Sequence, residues 1–339
     1  MLIKETVIKV TVIKETVMLK EDSVFSRKIV GRFAPSPSGR MHLGNIYTAL
    51  AAWLCAKSAG GDFLLRIEDL DPVRCPRANA DQILSDLEWL GITWDNPDIP
   101  YQSERTAIYE EYYKQLTGKN LVYPCFCSRA QLHVADAPHA SDGRVVYAGT
   151  CRRLTAGEIR EKAKHRRPAA RLILPDEDIA FCDGCYGPQS FNLARDWGDI
   201  IIRRSDGVFA YQLAVTIDDG LMGVTQVVRG CDLLSSSAPQ IYLFRTLGFD
   251  VPEYLHLPML ITQEGTRLAK RDKAADMGFL RQELGGPEPL LGYIAWLLGQ
   301  ISKPEPLKAA DILPLFDRKK IPGHDLVIPG SYWENLKFL

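Results

Sequence analysis

Along the chain, short apolar runs alternate with Gly/Pro-rich turns and with stretches whose apolar residues recur at helical spacing. KIVGRFAPSP (28–37) reads as a short strand entering a turn, and HLGNIYTALAAWLCAKSAG (42–60) as an apolar helix stopped at Gly60-Gly61. FLLRIE (63–68) is a second apolar strand, and ANADQILSDLEWLGI (78–92) gathers its apolar residues on one helix face. Strand, helix, strand in that order predicts a parallel βαβ unit. The rhythm stops between 124 and 196, where a long polar stretch (VADAPHASDGR) and five of the eight cysteines fall, as expected of an inserted subdomain. DIIIRRSDGVFAYQLAVTIDD (199–219) predicts strands again, and TQVVRGCDLLSSSAPQIYLFRTLG (225–248) a strand–loop–helix unit. Beyond about 250 the pattern is mostly helical (FLRQELG, LLGYIAWLLGQ). Residues 1–28 stand apart: IKETV occurs at 3–7 and 13–17, and the segment is expected to be a poorly ordered extension, with Met18 offering an alternative start.

Composition adds little to this picture. The 339 residues suffice for two or three domains, and 46% hydrophobic and 24% charged residues with net charge −1 describe a soluble globular protein. No apolar run approaches the roughly 20 residues that span a bilayer, and no signal-type block opens the chain. Eight irregularly spaced cysteines in a long chain predict reduced thiols, a cytoplasmic setting, and metal or catalysis where they cluster. Near-neutral charge does not exclude RNA, because a local basic stripe is enough to follow phosphates.

Two stretches carry phosphate chemistry. GRFAPSPSGRMHLGN (31–45) lies between a strand and a helix N-terminus, with Gly39 and Gly44 permitting close backbone approach and His42 able to donate to a developing charge. TRLAKRDKAAD (266–276) is a basic loop in which Lys270 can clamp the same phosphates. Taken singly, the first also reads as a Pro/Gly loop with a capping His, and the second as a solvated basic run.

Together they are similar to the HIGH-type and KMSKS-type signatures of class I aminoacyl-tRNA synthetases. RFAPSPSG (32–39), RIEDLD (66–71), AYQLAVTIDD (210–219) and VVRGCDLL (227–234) resemble the glutamyl branch, in its order, and the likeness runs from about 29 to at least 300. Two departures are visible: Asn45 ends the first signature where the pattern has His, and Arg267 and Ala269 replace the first Lys and the Ser of the second. Lys270 is thereby left as the strong phosphate ligand, with Arg267 weaker.

The resemblance implies an α/β fold: a class I synthetase-type Rossmann catalytic domain, an inserted zinc-containing subdomain and a mostly helical, stem-contacting C-terminal region. The expected division is extension 1–28, catalytic halves 29–123 and 197–248, insert 124–196, and basic loop with helices 249–339. It further implies ATP with Mg²⁺, held by Pro35, His42, Gly44, Asn45 and Lys270, with His42 and Lys270 catalytic. A glutamate pocket would comprise Arg32, Ala34, Ser36, Glu68, Tyr211 and Arg229. Arginine suits a substrate carboxylate through its planar fork, and Glu68 suits an ammonium. Apart from the resemblance, each reads first as a structural ion pair or core tyrosine. No protein nucleophile is needed, since the substrate carboxylate is one.

About 70 residues follow the Lys270 loop, too few for the anticodon-reading domain of a full glutamyl-tRNA synthetase. The chain resembles instead the truncated paralogue family, the glutamyl-Q tRNA(Asp) synthetases, which implies transfer of glutamate to queuosine in tRNA-Asp, activation without tRNA, and a monomer. A truncated enzyme charging tRNA-Glu and a non-catalytic RNA-binding derivative are the competing readings. That family's C-x-C…Y-x₃-C pattern is matched by Cys125, Cys127, Tyr147 and Cys151, implying one closed structural Zn²⁺ site. Composition alone offers His133 or His139 as fourth ligand. Cys182-x-x-Cys185 is a rival half-site read as a chance pair, and Cys55 and Cys231 as packing residues.

Overall fold

The structure, a computed structural model, describes residues 27–128, 146–266, 276–330 and 332–337. The extension before residue 27, His133, His139 and the loop carrying Arg267, Ala269 and Lys270 lie outside these residues.

Strand β1 (Val30–Phe33) pairs in parallel with β2 (Asp62–Leu65) through helix α1 (Leu43–Ser58), the βαβ unit the apolar pattern predicts. Gly31 lets the strand press on the helix: a Cβ there would stand 3.0 Å from that of Ala56. Helix α1 ends where expected, with Gly60 at φ +67°. Helices α2 (Arg77–Trp89) and α3 (Thr106–Gly118) follow, α2 burying Ile83 and Leu87 on one face.

Next, β3 (Val122–Cys125) pairs antiparallel with β4 (Ala169–Leu172), and β4 with β7 (Ile200–Arg203). Between them, α4 (Ala156–His165) fully buries no residue; Ile159 packs partly buried beside Cys125 and Tyr147, and Thr155 and Glu158 close a reciprocal capping box at its start. A hairpin of β5 (Asp178–Asp183) and β6 (Gly187–Asn192) follows.

After β7 the structure departs from the predicted strands. Residues Tyr211–Leu221 are a helix, α5, buried continuously from Leu213 to Asp219, so that tertiary packing overrides the strand preference of the β-branched Val215, Thr216 and Ile217. Strand β8 (Gln226–Gly230), helix α6 (Ser237–Leu247) and strand β9 (Glu253–Leu257) complete a second parallel βαβ unit. The region beyond 250 thus begins with strand. It adds β10 (Leu260–Ile261), paired with β11 (Leu326–Val327), before helices α7 (Met277–Glu283) and α8 (Glu288–Leu297) and short helices at Ala309–Ile312 and Tyr332–Leu336.

The sheet order β6–β5–β9–β8 draws strands from both sides of the expected boundaries at 196 and 248. β8 lies beside β1, where Thr225 N donates to Val30 O at 2.9 Å. One apolar core surrounds α1 and α8, a second joins α3, β4, β7, α5 and α6, and a small third gathers Tyr123, Cys125, Phe126, Tyr147 and Cys151. Among the described residues no helix is long and apolar enough to cross a membrane.

Candidate active site

The C-terminal ends of β1 and β8 and the N-terminus of α1 face one cleft of ≈ 470 Å³, where a parallel sheet presents its ligand groups. Arg32, Ala34, Pro35, Ser36, His42, Gly44, Asn45, Glu68, Tyr211 and Arg229 all line it. Lys270 alone of the expected substrate-site residues falls outside the described residues. The cleft also takes Tyr47, Thr48, Asp232 and Met259, for which the sequence reading assigns no role.

At the phosphate end, His42 is the N-cap of α1. Its Nδ1 accepts from Gly44 N at 3.1 Å, and Asn45 Oδ1 accepts from His42 N at 3.1 Å. With Nδ1 occupied as acceptor, Nε2 is left as the ring's donor, the role an incoming phosphate requires. The described residue after the basic loop, Asp276, bridges to His42, and Met277 N donates to Met41 O at 3.0 Å. Asp86, fully buried, holds Arg40 of the turn at 3.2 Å and Arg281 of α7 at 2.8 Å. The far side of the basic loop is thus tied to the turn it would serve.

At the opposite end lies a buried charge network. Arg66, with no exposed surface, contacts Asp219 at 2.7 Å, Glu68 at 3.0 Å and Asp218 at 3.6 Å. Asp219 in turn meets Arg32 Nε at 3.4 Å, and Arg32 Nη1 donates to Val228 O at 3.3 Å. Burial would raise the Asp219 carboxyl, but Arg32 and Arg66 outweigh it and hold it below the usual range. Burial pushes Glu68 up despite Arg66.

Arg229 donates from Nε to His256 Nε2 at 3.0 Å, from Nη1 to Gln240 Oε1 at 2.8 Å, and from Nη2 to Ser237 Oγ at 2.9 Å and Leu233 O at 3.2 Å. Much of the guanidinium fork that the sequence reading reserved for substrate is therefore spent on orientation. Arg66 and Asp219 stand inside the motifs RIEDLD and AYQLAVTIDD, so their signal was present without an assigned role. His256, Asp183, Gln240 and Ser237 carry no sequence signal, because nothing local says which strand ends face each other.

The cysteines meet as the resemblance implies. Cys125, Cys127 and Cys151 sulfurs lie within 4.8 Å of one another and could hold a metal ion. Tyr147 Oη sits among them, 3.5 Å from Cys125 Sγ and 3.7 Å from Cys127 Sγ, and Cys127 and Cys151 sulfurs are 3.6 Å apart. A tetrahedral zinc with Zn–S bonds of about 2.3 Å needs edges of roughly 3.8 Å, so this donor set fits the ion. Arg171 Nε donates to Cys125 Sγ at 3.2 Å, and its guanidinium stacks 3.6 Å over the Tyr147 ring. Among the described residues no third ligand joins Cys182 and Cys185; Cys182 is exposed, and Cys185 Sγ donates to Pro322 O at 3.3 Å. Cys55 is buried in α1, and Cys231 is half-buried after β8.

Comparison with known proteins agrees with this geometry. The family model "tRNA synthetases class I (E and Q), catalytic domain" matches residues 28–307. The glutamyl-Q tRNA(Asp) synthetase of Symbiobacterium thermophilum is 48% identical over 89% of this chain and 97% of its own. That of Nitratidesulfovibrio vulgaris is 46% identical over 91% and 98%. Among solved structures, a glutamate tRNA ligase from Elizabethkingia meningosepticum in complex with its amino acid superposes with TM-score 0.76 at 29% identity, covering 91% of this chain and 69% of that one.

Proposed function

We propose, from the premise that this chain belongs to the class I E/Q tRNA synthetases and within them to the glutamyl-Q tRNA(Asp) synthetases, that it activates L-glutamate with ATP and transfers it to queuosine of tRNA-Asp. The observation that carries the reading at this chain's own residues is the single cleft in which Arg32, Arg229 and Glu68 meet the His42 turn. It offers cations for a dicarboxylic amino acid, an anion for its ammonium, and a helix N-terminus for phosphate.

In the first step an oxygen of the glutamate α-carboxylate attacks the α-phosphorus of ATP. The bond to the β-bridging oxygen breaks, pyrophosphate leaves, and glutamyl-adenylate remains. In the second a queuosine hydroxyl attacks the acyl carbon, its proton is released and AMP departs. Mg²⁺ accompanies the nucleotide as its charge partner. His42 Nε2–H steadies the charge gathering on the phosphate, and Lys270 is assigned the same task from the basic loop. Arg32 and Arg229 address the amino acid, with Tyr211 at the wall, and Ala34 and Ser36 contributing from the turn. The closed set Cys125, Cys127, Tyr147 and Cys151 holds one structural Zn²⁺, which contributes folding energy and no chemistry.

Two measurements test this. Labelled glutamate should be transferred to tRNA-Asp bearing queuosine and not to queuosine-free tRNA-Asp; undiminished charging of tRNA-Glu would favour a 3′-end synthetase instead. Metal analysis of the purified protein should find one zinc per chain, lost together with Cys151→Ser; a metal-free, normally folded protein would remove the zinc assignment.

A further inference from the structure

The two arginines of the amino-acid pocket are fixed in different ways. Arg32 leans on a carboxylate, Asp219, which offsets its charge. Arg229, among the described residues, hydrogen-bonds only to uncharged acceptors: an imidazole, a carboxamide, a hydroxyl and a backbone carbonyl. Four of its five N–H groups are so engaged, leaving one on Nη1.

The imidazole is the unusual member of this set. His256 is fully buried on β9, beside Arg229 on β8 in the parallel ladder. A guanidinium can only donate, so His256 Nε2 must carry a lone pair toward Arg229 Nε at 3.0 Å. The ring proton then resides on Nδ1, which faces Asp183 Oδ2 at 2.6 Å. Asp183 is buried too, and it is fixed by the backbone N–H groups of Cys185 and Tyr186, both at 3.0 Å, and of His256 itself at 3.2 Å. A carboxylate at that spot selects one imidazole tautomer, because only Nδ1–H can satisfy it.

We propose that His256, locked by Asp183 in its Nδ1–H tautomer, is the positioning residue that sets Arg229 for a substrate carboxylate. The imidazole fixes the guanidinium through a neutral lone pair, so the carboxylate behind it steers Arg229 from one ring further away without pairing with it. The positive charge stays available to the ligand, and a carboxylate is favoured over a carboxamide. This rests on the reading of Arg229 as a glutamate ligand.

The test uses glutamate-dependent ATP–pyrophosphate exchange without tRNA, on the full chain. Gln at 256 extends its Oε1 to the Nε2 position and keeps an acceptor for Arg229. Asn at 256 reaches only the Nδ1 position and keeps the Asp183 bond alone. His256→Asn is expected to raise KM for glutamate about tenfold or more, with KM for ATP within about twofold, whereas His256→Gln stays close to the parent. Equal glutamate KM values in the two variants, or parallel rises for glutamate and ATP, would overturn the proposal. A second readout needs no folded Asn variant: ¹⁵N NMR of the unsubstituted protein at pH 7, with the His256 signal assigned by its loss in His256→Gln. A neutral ring protonated at Nδ1 is expected, and the opposite tautomer or an imidazolium overturns the assignment. If the unsubstituted protein does not exchange with glutamate while the NMR tautomer holds, the functional reading has failed and takes the role of Arg229 with it.

Discussion

Arg66 has no exposed surface, yet three carboxylates converge on it from β2's end and from α5. Buried ions persist only when paired, and here the pairing fixes the charges behind Arg32 and Glu68 at the wall of the cleft. Asp219, held below the ordinary carboxylate range against its burial by Arg32 and Arg66, stabilises the fold above the ordinary aspartate value of about 3.9. That contribution is lost as pH falls through its lower folded value. Glu68, raised by burial against the pull of Arg66, shifts in the opposite direction, so its contribution is present below the ordinary glutamate value and lost as pH rises through its folded value. Urea midpoints measured from neutral pH downward should therefore fall on the acid side, and Asp219→Asn should flatten that limb; a variant with an unchanged acid limb would show that Asp219 does not drive it. At this scale the sequence was readable where a motif named the residue. Arg32, Glu68 and Arg229 stood out, while His256 did not, since its meaning lies in a ladder partner 27 positions away.

Helices and strands are legible wherever the apolar pattern matches the burial, one-sided in α2 and nearly all round in α1. α1 and α2 follow their apolar spacing, and Gly60 stops α1 where only a left-handed backbone turns the chain. α5 runs against its local pattern: Val215, Thr216 and Ile217 favour strand, and a helix buried at every position from 213 to 219 leaves no one-sided apolar stripe to announce it. α4 is the opposite case, a helix without a buried residue, and most helical stability comes from packing. Its reciprocal cap therefore carries more weight than usual: Thr155 Oγ1 accepts from Glu158 N at 3.3 Å and Glu158 Oε2 accepts from Thr155 N at 2.8 Å. Thr155→Ala should abolish amide protection across 156–165 in hydrogen exchange while glutamate-dependent pyrophosphate exchange is retained. Undiminished protection would mean that something other than the cap holds the helix.

Across the whole molecule, the sequence carries the two parallel βαβ units, while one sheet runs through the expected boundaries at 196 and 248. The expected boundaries follow changes in composition, whereas the sheet is joined by backbone ladders that composition does not record. Thus β5 and β6 sit in the cysteine-rich stretch by sequence and beside β9 in space, with Gly184 N donating to Tyr254 O at 2.8 Å. The cysteine cluster, by contrast, forms its own small core. Chelation should accordingly loosen β3 and the 146–151 segment and spare the β6–β5–β9–β8 sheet, and hydrogen exchange with and without metal would register the difference. Loss of protection in both together would mean that the metal supports the whole sheet.

The ladder between β3 and β4 also says where this chain can be cut. Cys125 and Ala169 are direct partners, so a two-residue Asn-Gly turn could close the gap in place of residues 126–168. Such a shortened chain should keep glutamate-dependent pyrophosphate exchange and bind no zinc. Excising 124–196 along the compositional boundary should abolish both, because that cut carries away two strands of the sheet and the carboxylate behind His256. The segment that can be spared on these ladders is thus shorter than 124–196, because β5, β6 and Asp183 within it belong to the sheet that carries His256.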